Sequence, residues 1–216
     1  VVTFGLSENC DYYATNIKFN EDGMPSFDVC HDGKLLSRVQ LAVPGEHNIL
    51  NALAAFTCAC VLGVEPALTK ETLEAYHGTQ RRFDLVGTTA RGVKIVDDYA
   101  HHPTEIKATL SASENVPHNK LWCIFQPHTY TRTIALFDEF ADAFEKADHL
   151  ILAEIYAARE KNIYKISSAQ LAEKIKETHP DKDVLFMEDF AAIADYVDSQ
   201  AQRGDMVITM GAGDIY

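Results

Sequence analysis

The 216-residue sequence has no excess of positive charge: 19 Lys and Arg stand against 32 Asp and Glu, a formal net charge of -13. General binding to nucleic acid needs a basic face, so this balance argues against it, although a few local arginines could still hold a small anion. No apolar run is long enough for a membrane span; the longest, Ala52 to Val64, is too short and too mixed. No secretory signal pattern opens the chain. No cysteines stand in a CxxC pair. The five that occur (Cys10, Cys30, Cys58, Cys60 and Cys123) are scattered and read as reduced thiols of a cytoplasmic protein. Internal repeats and low-complexity segments are absent. So is a GxxGK phosphate loop closed by Ser or Thr. No GxGxxG opens a βαβ unit, which makes a nicotinamide oxidoreductase a poor reading.

What is present is a chain that is 47% hydrophobic, enough for a real core, with two rhythms. Residues 1 to about 43 alternate in strand fashion, with Tyr13, Thr15, Ile17 and Phe19 expected on one face and turns near Gly23-Met24-Pro25 and His31-Asp32-Gly33-Lys34. This predicts a small sheet of antiparallel hairpins. Pro44-Gly45 breaks the pattern, and helices are expected at about 47–62, closed by Gly63, and about 69–77, opened by Thr69. From about residue 81 strands alternate with amphipathic helices, among them a helix at about 103–114, one at about 133–147 and one capped by Ser167 or Ser168. That alternation predicts a mainly parallel sheet with helices on both faces. The expected fold is α/β: a Rossmann-like domain over 80–216, preceded over 1–79 by a partial α/β domain with a small antiparallel sheet.

Five clusters carry polar groups in excess of local need. The densest is DDYAHHPTEI at 97–106, where two carboxylates, a phenol and two imidazoles lie between an apolar strand and a helix start marked by Pro103. In open α/β sheets ligands bind outside the carboxyl ends of strands, and a carboxylate there can take a ribose diol. A histidine in such a turn can contact substrate or transfer a proton. Gln126 to Thr133 repeats the placement, and its hydroxyls, helix N–H groups and Arg132 suit a carboxylate or phosphate. Glu46-His47-Asn48-Ile49-Leu50-Asn51 reads either as helix-start capping or as groups able to meet an adenine edge. Arg81-Arg82 reads either as a surface pair or as phosphate ligands. Gly211-Ala212-Gly213 allows close backbone approach, with a plain turn as the alternative.

In their order along the chain, EHNILNALAA, RRFD, DDYAHHPTEI, FQPHTYTRT, LFDEFA, EIYAARE and TMGAGDI resemble the Mur ligases of peptidoglycan synthesis, and most nearly the branch that adds L-alanine. The resemblance covers about 44–216 strongly and 1–43 more loosely. It implies an ATP-dependent reaction in which the carboxylate of UDP-N-acetylmuramate is phosphorylated and the amine of L-alanine attacks the acyl phosphate. It further implies that 1–79 is the rear part of the central ATPase domain and 80–216 the C-terminal domain. By the same resemblance His47, Asn48 and Asn51 border the adenine, Arg82 reaches the phosphates and Asp98 the ribose. Tyr99, His101 and Arg132 face the amino acid, and Arg82 and His101 are the catalytic candidates. Thr129 stands where some members carry a second arginine, so carboxylate clamping rests more on Arg132. The partners implied are UDP-N-acetylmuramate, L-alanine and ATP with Mg2+, whose ligands are expected ahead of Val1. Because the chain opens on a strand-like run without methionine and closes on a glycine-rich turn, it reads as a fragment that is inactive alone. Two alternatives remain, a sister ligase adding another amino acid or peptide and a non-catalytic nucleotide-binding module.

Overall fold

The structure, a computed structural model, describes residues 1–216. By contacts it divides into two compact units, Val1–Thr79 with Ser111–Pro117, and Gln80–Leu110 with His118–Tyr216.

The first unit holds a four-stranded sheet in the order β1 (Phe4–Gly5), β2 (Tyr12–Phe19), β3 (Pro25–His31), β4 (Lys34–Gln40), with two helices, α1 (Glu46–Val61) and α2 (Pro66–Glu74). β2, β3 and β4 pair antiparallel as expected, but β1 pairs parallel to β2. The face expected from Tyr13, Thr15, Ile17 and Phe19 also differs. Tyr12 and Ala14 pack in the core cluster with Ile17 against it, Tyr13 is buried as well, and Phe19 is 38% exposed. A bulge between Thr15 and Lys18, with Asn16 at φ 53, brings Ile17 to the face of Tyr12 and Ala14. One extra residue in a strand reverses which face the following side chains take. The core closes on Phe27, Val29 and Val39 from the sheet and Ile49, Leu53 and Phe56 from α1. The last three recur at helical spacing, which gives α1 one apolar stripe. α2 starts three residues before Thr69, because Pro66 suits the first turn. The Thr69 hydroxyl instead donates to the Glu65 carbonyl at 3.2 Å.

The second unit is built on a six-stranded sheet. Its strands are β5 (Asp84–Thr88), β6 (Lys94–Asp98), β7 (Leu121–Phe125), β8 (His149–Leu152), β9 (Asp183–Phe186) and β10 (Met206–Met210), in the spatial order β5-β6-β10-β7-β8-β9. All neighbours are parallel except β5, which runs antiparallel to β6. Every residue of β7 is buried, as a strand covered on both faces requires. Phe125 packs on one face against Phe140 and Phe144, and Trp122 and Ile124 pack on the other with Ile193 and Val197 of α7 (Phe190–Gln200). α3 (Pro103–Ser113) follows β6, and α6 (Ser168–Thr178) opens with a complete capping box between Ser167 and Gln170. The single helix expected at 133–147 is broken into α4 (Tyr130–Ala135) and α5 (Phe137–Ala141), with Leu136 between them at φ -116 and ψ 25. The break brings Phe140 and Phe144 together onto Phe125. No helix is long and apolar enough to cross a membrane.

Candidate functional site

Three adjacent parallel strands, β6, β10 and β7, end on one edge of the sheet. The segments that follow them are the polar clusters at 99–102, 211–214 and 126–129, so the topology brings three of the five clusters together.

Arg81 organises this edge. Its Nε donates to Asp97 at 2.8 Å and its Nη2 to the Gly211 carbonyl at 2.6 Å, and it lies over the rings of Tyr99 and Tyr216. Asp97 also accepts from Thr209 Oγ1 at 2.8 Å. Arg81 is thus consumed by the fold. Arg82, one residue on, is exposed and stacks 5.6 Å from the Tyr99 centroid. Arg81 at φ 58 and Phe83 at φ 49 put a left-handed kink in this segment.

Asp98 is 5% exposed. Its Oδ1 accepts from Ala100 N at 2.7 Å and its Oδ2 from Phe83 N at 2.8 Å, with the Thr109 hydroxyl as a further donor. Burial pushes its carboxyl above the ordinary range, against the pull of those bonds and of Arg82. Three donors leave about one of a carboxylate's four lone-pair sites open.

His101 Nδ1 sits 2.9 Å from the Tyr99 carbonyl. A carbonyl can only accept, so Nδ1 carries a proton and points at it, which leaves Nε2 as the ring nitrogen facing away from this bond. Glu105 Oε2 accepts from His101 N at 3.0 Å and His102 N at 3.2 Å. Burial would raise the Glu105 carboxyl, but these bonds and the charges of His101 and Arg82 outweigh it and hold it below the ordinary range. His101 meets Tyr99 edge-on at 5.3 Å and His128 at 5.9 Å.

His128, which sequence reasoning assigned no role, links this group to Arg132. Arg132 Nη1 lies 3.3 Å from His128 Nδ1, and a guanidinium can only donate, so His128 is neutral there. Burial, then the charges of Arg132 and His101, hold its pKa below the usual imidazole value. Its other face stacks on Tyr156 at 5.5 Å. A continuous row therefore runs from Arg82 over Tyr99, His101 and His128 to Arg132. The guanidiniums can take carboxylate or phosphate oxygens, and His101 Nε2 can accept a hydrogen bond or proton from an amine. The sequence signal for Tyr156 and Glu160 was the motif EIYAARE, whose side chains had no assigned partner.

In the first unit, Gly45 at φ 97 turns the chain into α1. Asn48 Nδ2 donates to the Pro44 carbonyl at 2.7 Å, and Asn51 Nδ2 donates to Asn48 Oδ1 at 3.1 Å. His47 and Asn51 are exposed and Asn48 half-buried, all on the first turns of α1. No group of three or more His, Cys, Asp or Glu side chains is placed to hold a metal ion.

The fold defines a Rossmann-like α/β protein with a row of cationic and aromatic groups at the carboxyl edge of its sheet, the edge where ligands bind in open α/β folds. Two family descriptions match: Mur ligase, glutamate ligase domain, over residues 81–213, and Mur ligase middle domain, over residues 1–59. The chain belongs to the Mur ligase family. It is 48% identical over 216 residues to the UDP-N-acetylmuramate–L-alanine ligase of Clostridium acetobutylicum and 45% identical to that of Alkaliphilus metalliredigens, covering all of this chain and 46% of each relative. It thus spans about half the length of the curated relatives it matches. The crystal structure of UDP-N-acetylmuramate-alanine ligase MurC from Thermotoga maritima superposes with a TM-score of 0.81 at 29% identity, over 99% of this chain and 45% of that one. MurF ligase from the same organism, in complex with ADP, shares the fold with a TM-score of 0.69 at 19% identity, over 97% of this chain and 44% of that one.

Proposed function

We propose that the chain is part of a cytoplasmic ligase that uses ATP to join L-alanine to UDP-N-acetylmuramate. The observation that carries this is identity of 45–48% along all 216 residues to proteins bearing that name. Residues 1–79 are then the rear of the central ATPase domain and 80–216 the C-terminal domain. In the first step the muramate carboxylate attacks the γ-phosphorus and ADP leaves. In the second the alanine amine attacks the acyl carbon and phosphate leaves.

His47, Asn48 and Asn51 border the adenine, and Asn51 is the more exposed of the two amides. Arg82 meets the phosphates, because its guanidinium is exposed while that of Arg81 is bound to Asp97. Asp98 offers its remaining lone pair to a ribose hydroxyl. Arg132 holds the amino-acid carboxylate. Tyr99 and His101 flank its amine, and His101 Nε2 takes the proton that leaves the ammonium before attack. Magnesium is implied with ATP, and this chain presents no cluster of three or more His, Cys, Asp or Glu side chains for it.

The test is phosphate release by the full-length natural protein with ATP, UDP-N-acetylmuramate and one amino acid at a time. Release with L-alanine should exceed that with Ser or Gly by at least about tenfold, the discrimination a small apolar pocket can reach. Equal or greater release with another amino acid or a peptide would move the assignment to a sister ligase.

A further inference from the structure

The loops after β7 and β8 continue to pair beyond their strands. Ala153 N donates to the Phe125 carbonyl at 2.9 Å, Tyr156 N to the Pro127 carbonyl at 2.8 Å, and Thr129 N to the Tyr156 carbonyl at 2.9 Å. The last link of this zipper is a side chain. Glu160 Oε2 accepts from Thr131 N at 2.8 Å and its Oε1 accepts from the Thr131 hydroxyl, with Tyr130 N and the Thr129 hydroxyl as further donors. These bonds, those of Thr131 first, hold the Glu160 carboxyl below its ordinary pKa.

This carboxylate bonds the first turn of α4. That helix is six residues long, and the side chain of its own N-cap, Thr129, accepts from no helix N–H. Thr129 also sits at φ 68, where a β-branched residue is strained and persists only if its surroundings hold it. A helix so short has little stability of its own. Its start is therefore fixed from outside, by the Tyr156 carbonyl and by Glu160. Arg132 stands one residue beyond Thr131, and its bond to His128 depends on where α4 begins.

We propose that Glu160 is a positioning residue for Arg132: from the loop after β8 it caps α4 and sets the direction from which the guanidinium meets the amino-acid carboxylate. This rests on the role given to Arg132 above. Glu160 itself touches no reacting atom. Its effect belongs to amino-acid binding and not to the phosphoryl step.

The experiment compares full-length wild type with Glu160→Ala and Glu160→Gln by two readouts. Amide hydrogen exchange over 129–135 is independent of any assigned activity. Glu160→Ala should speed it by at least about fivefold, the worth of one helix cap, and Glu160→Gln should restore most protection because its amide can still accept from Thr131 N. In steady state Glu160→Ala should raise KM for the amino acid the wild type uses by at least about fivefold, with KM for ATP and kcat at saturating amino acid within about twofold. Unchanged exchange, or a loss of kcat and thermal midpoint with KM untouched, would overturn the proposal. A wild type that prefers an amino acid other than alanine would overturn the alanine assignment alone, since the KM comparison is made with whichever substrate it accepts.

Discussion

Alanine at position 81 would leave the buried Asp97 carboxylate with the Thr209 hydroxyl as its remaining side-chain partner, and would free the Gly211 carbonyl. Breaking a buried ion pair from one side costs about 3 kcal/mol, because a charge stays behind without compensation. Arg81→Ala should therefore lower stability to urea by that order. Arg82→Ala, which removes an exposed group stacked on Tyr99, should cost under about 1 kcal/mol and raise KM for ATP in the full-length enzyme instead. Urea titration of both variants beside nucleotide kinetics separates the two roles, and equal destabilisation would refute the division. A second residue-scale effect concerns acid. Asp28 is 4% exposed and accepts from Arg38 at 2.7 Å and Asn16 at 2.7 Å, and these bonds hold its carboxyl below the ordinary 3.8. A depressed carboxyl stabilises the fold above its ordinary pKa, and that contribution is lost as pH falls through the depressed value. The urea midpoint should thus drop between about pH 5 and pH 2, and Asp28→Asn should flatten that part of the curve.

At the scale of elements, α6 is the helix whose sequence and structure agree at both ends of the argument. Ser167 accepts from Gln170 N while Gln170 Oε1 accepts from Ser167 N at 2.9 Å. Ser167→Ala should cost about 1 kcal/mol, read as a lower thermal midpoint with unchanged amino-acid KM. A cap at Ser167 or Ser168 was legible in the chain because a cap acts within its own first turn, and the structure selects Ser167 and completes the box with Gln170. The same locality makes the strand–helix alternation of the second unit legible, and with it the placement of three polar clusters at one sheet edge. Contacts made across long sequence separations were not. Nothing near Phe4 states that β1 pairs parallel to β2, and the bulge at Asn16 is visible only once β3 is opposite. The helix expected at about 133–147 gave no sign that it would start at Tyr130 with Glu160, twenty-nine residues after Thr131, bonded to its first turn. Likewise RRF reads as a pair of arginines, and only the structure shows that both lie by the Tyr99 ring while Arg81 alone is bound to Asp97 and Gly211. Asp98 could be foreseen at a strand end, but not that Phe83 N and Ala100 N would already occupy it.

At the scale of the whole molecule the constraint is charge. The chain carries a formal -13, so a nucleotide triphosphate approaches against a net repulsion. The local arginines must overcome this at contact distance, because beyond a Debye length of about 8 Å at physiological salt the field is screened. Arg82 alone cannot neutralise a triphosphate in its transition state, where stabilisation comes from a phosphate loop, a lysine and metal acting together. The 216 residues contain no GxxGK loop and gather no metal cluster. The 216-residue chain by itself should therefore bind ADP weakly, with Kd of about 1 mM or above, and should release no phosphate from ATP in the presence of UDP-N-acetylmuramate and L-alanine. If the proposed adenine-bordering role of Asn51 holds, Asn51→Ala should weaken even that binding. Calorimetric titration with ADP and a phosphate-release assay, run on this chain and on the full-length protein, decide the matter. Turnover by the full-length protein alone places the phosphate chemistry outside these residues. Turnover by the 216 residues alone would mean that the strand-end row, without a phosphate loop, performs the whole reaction.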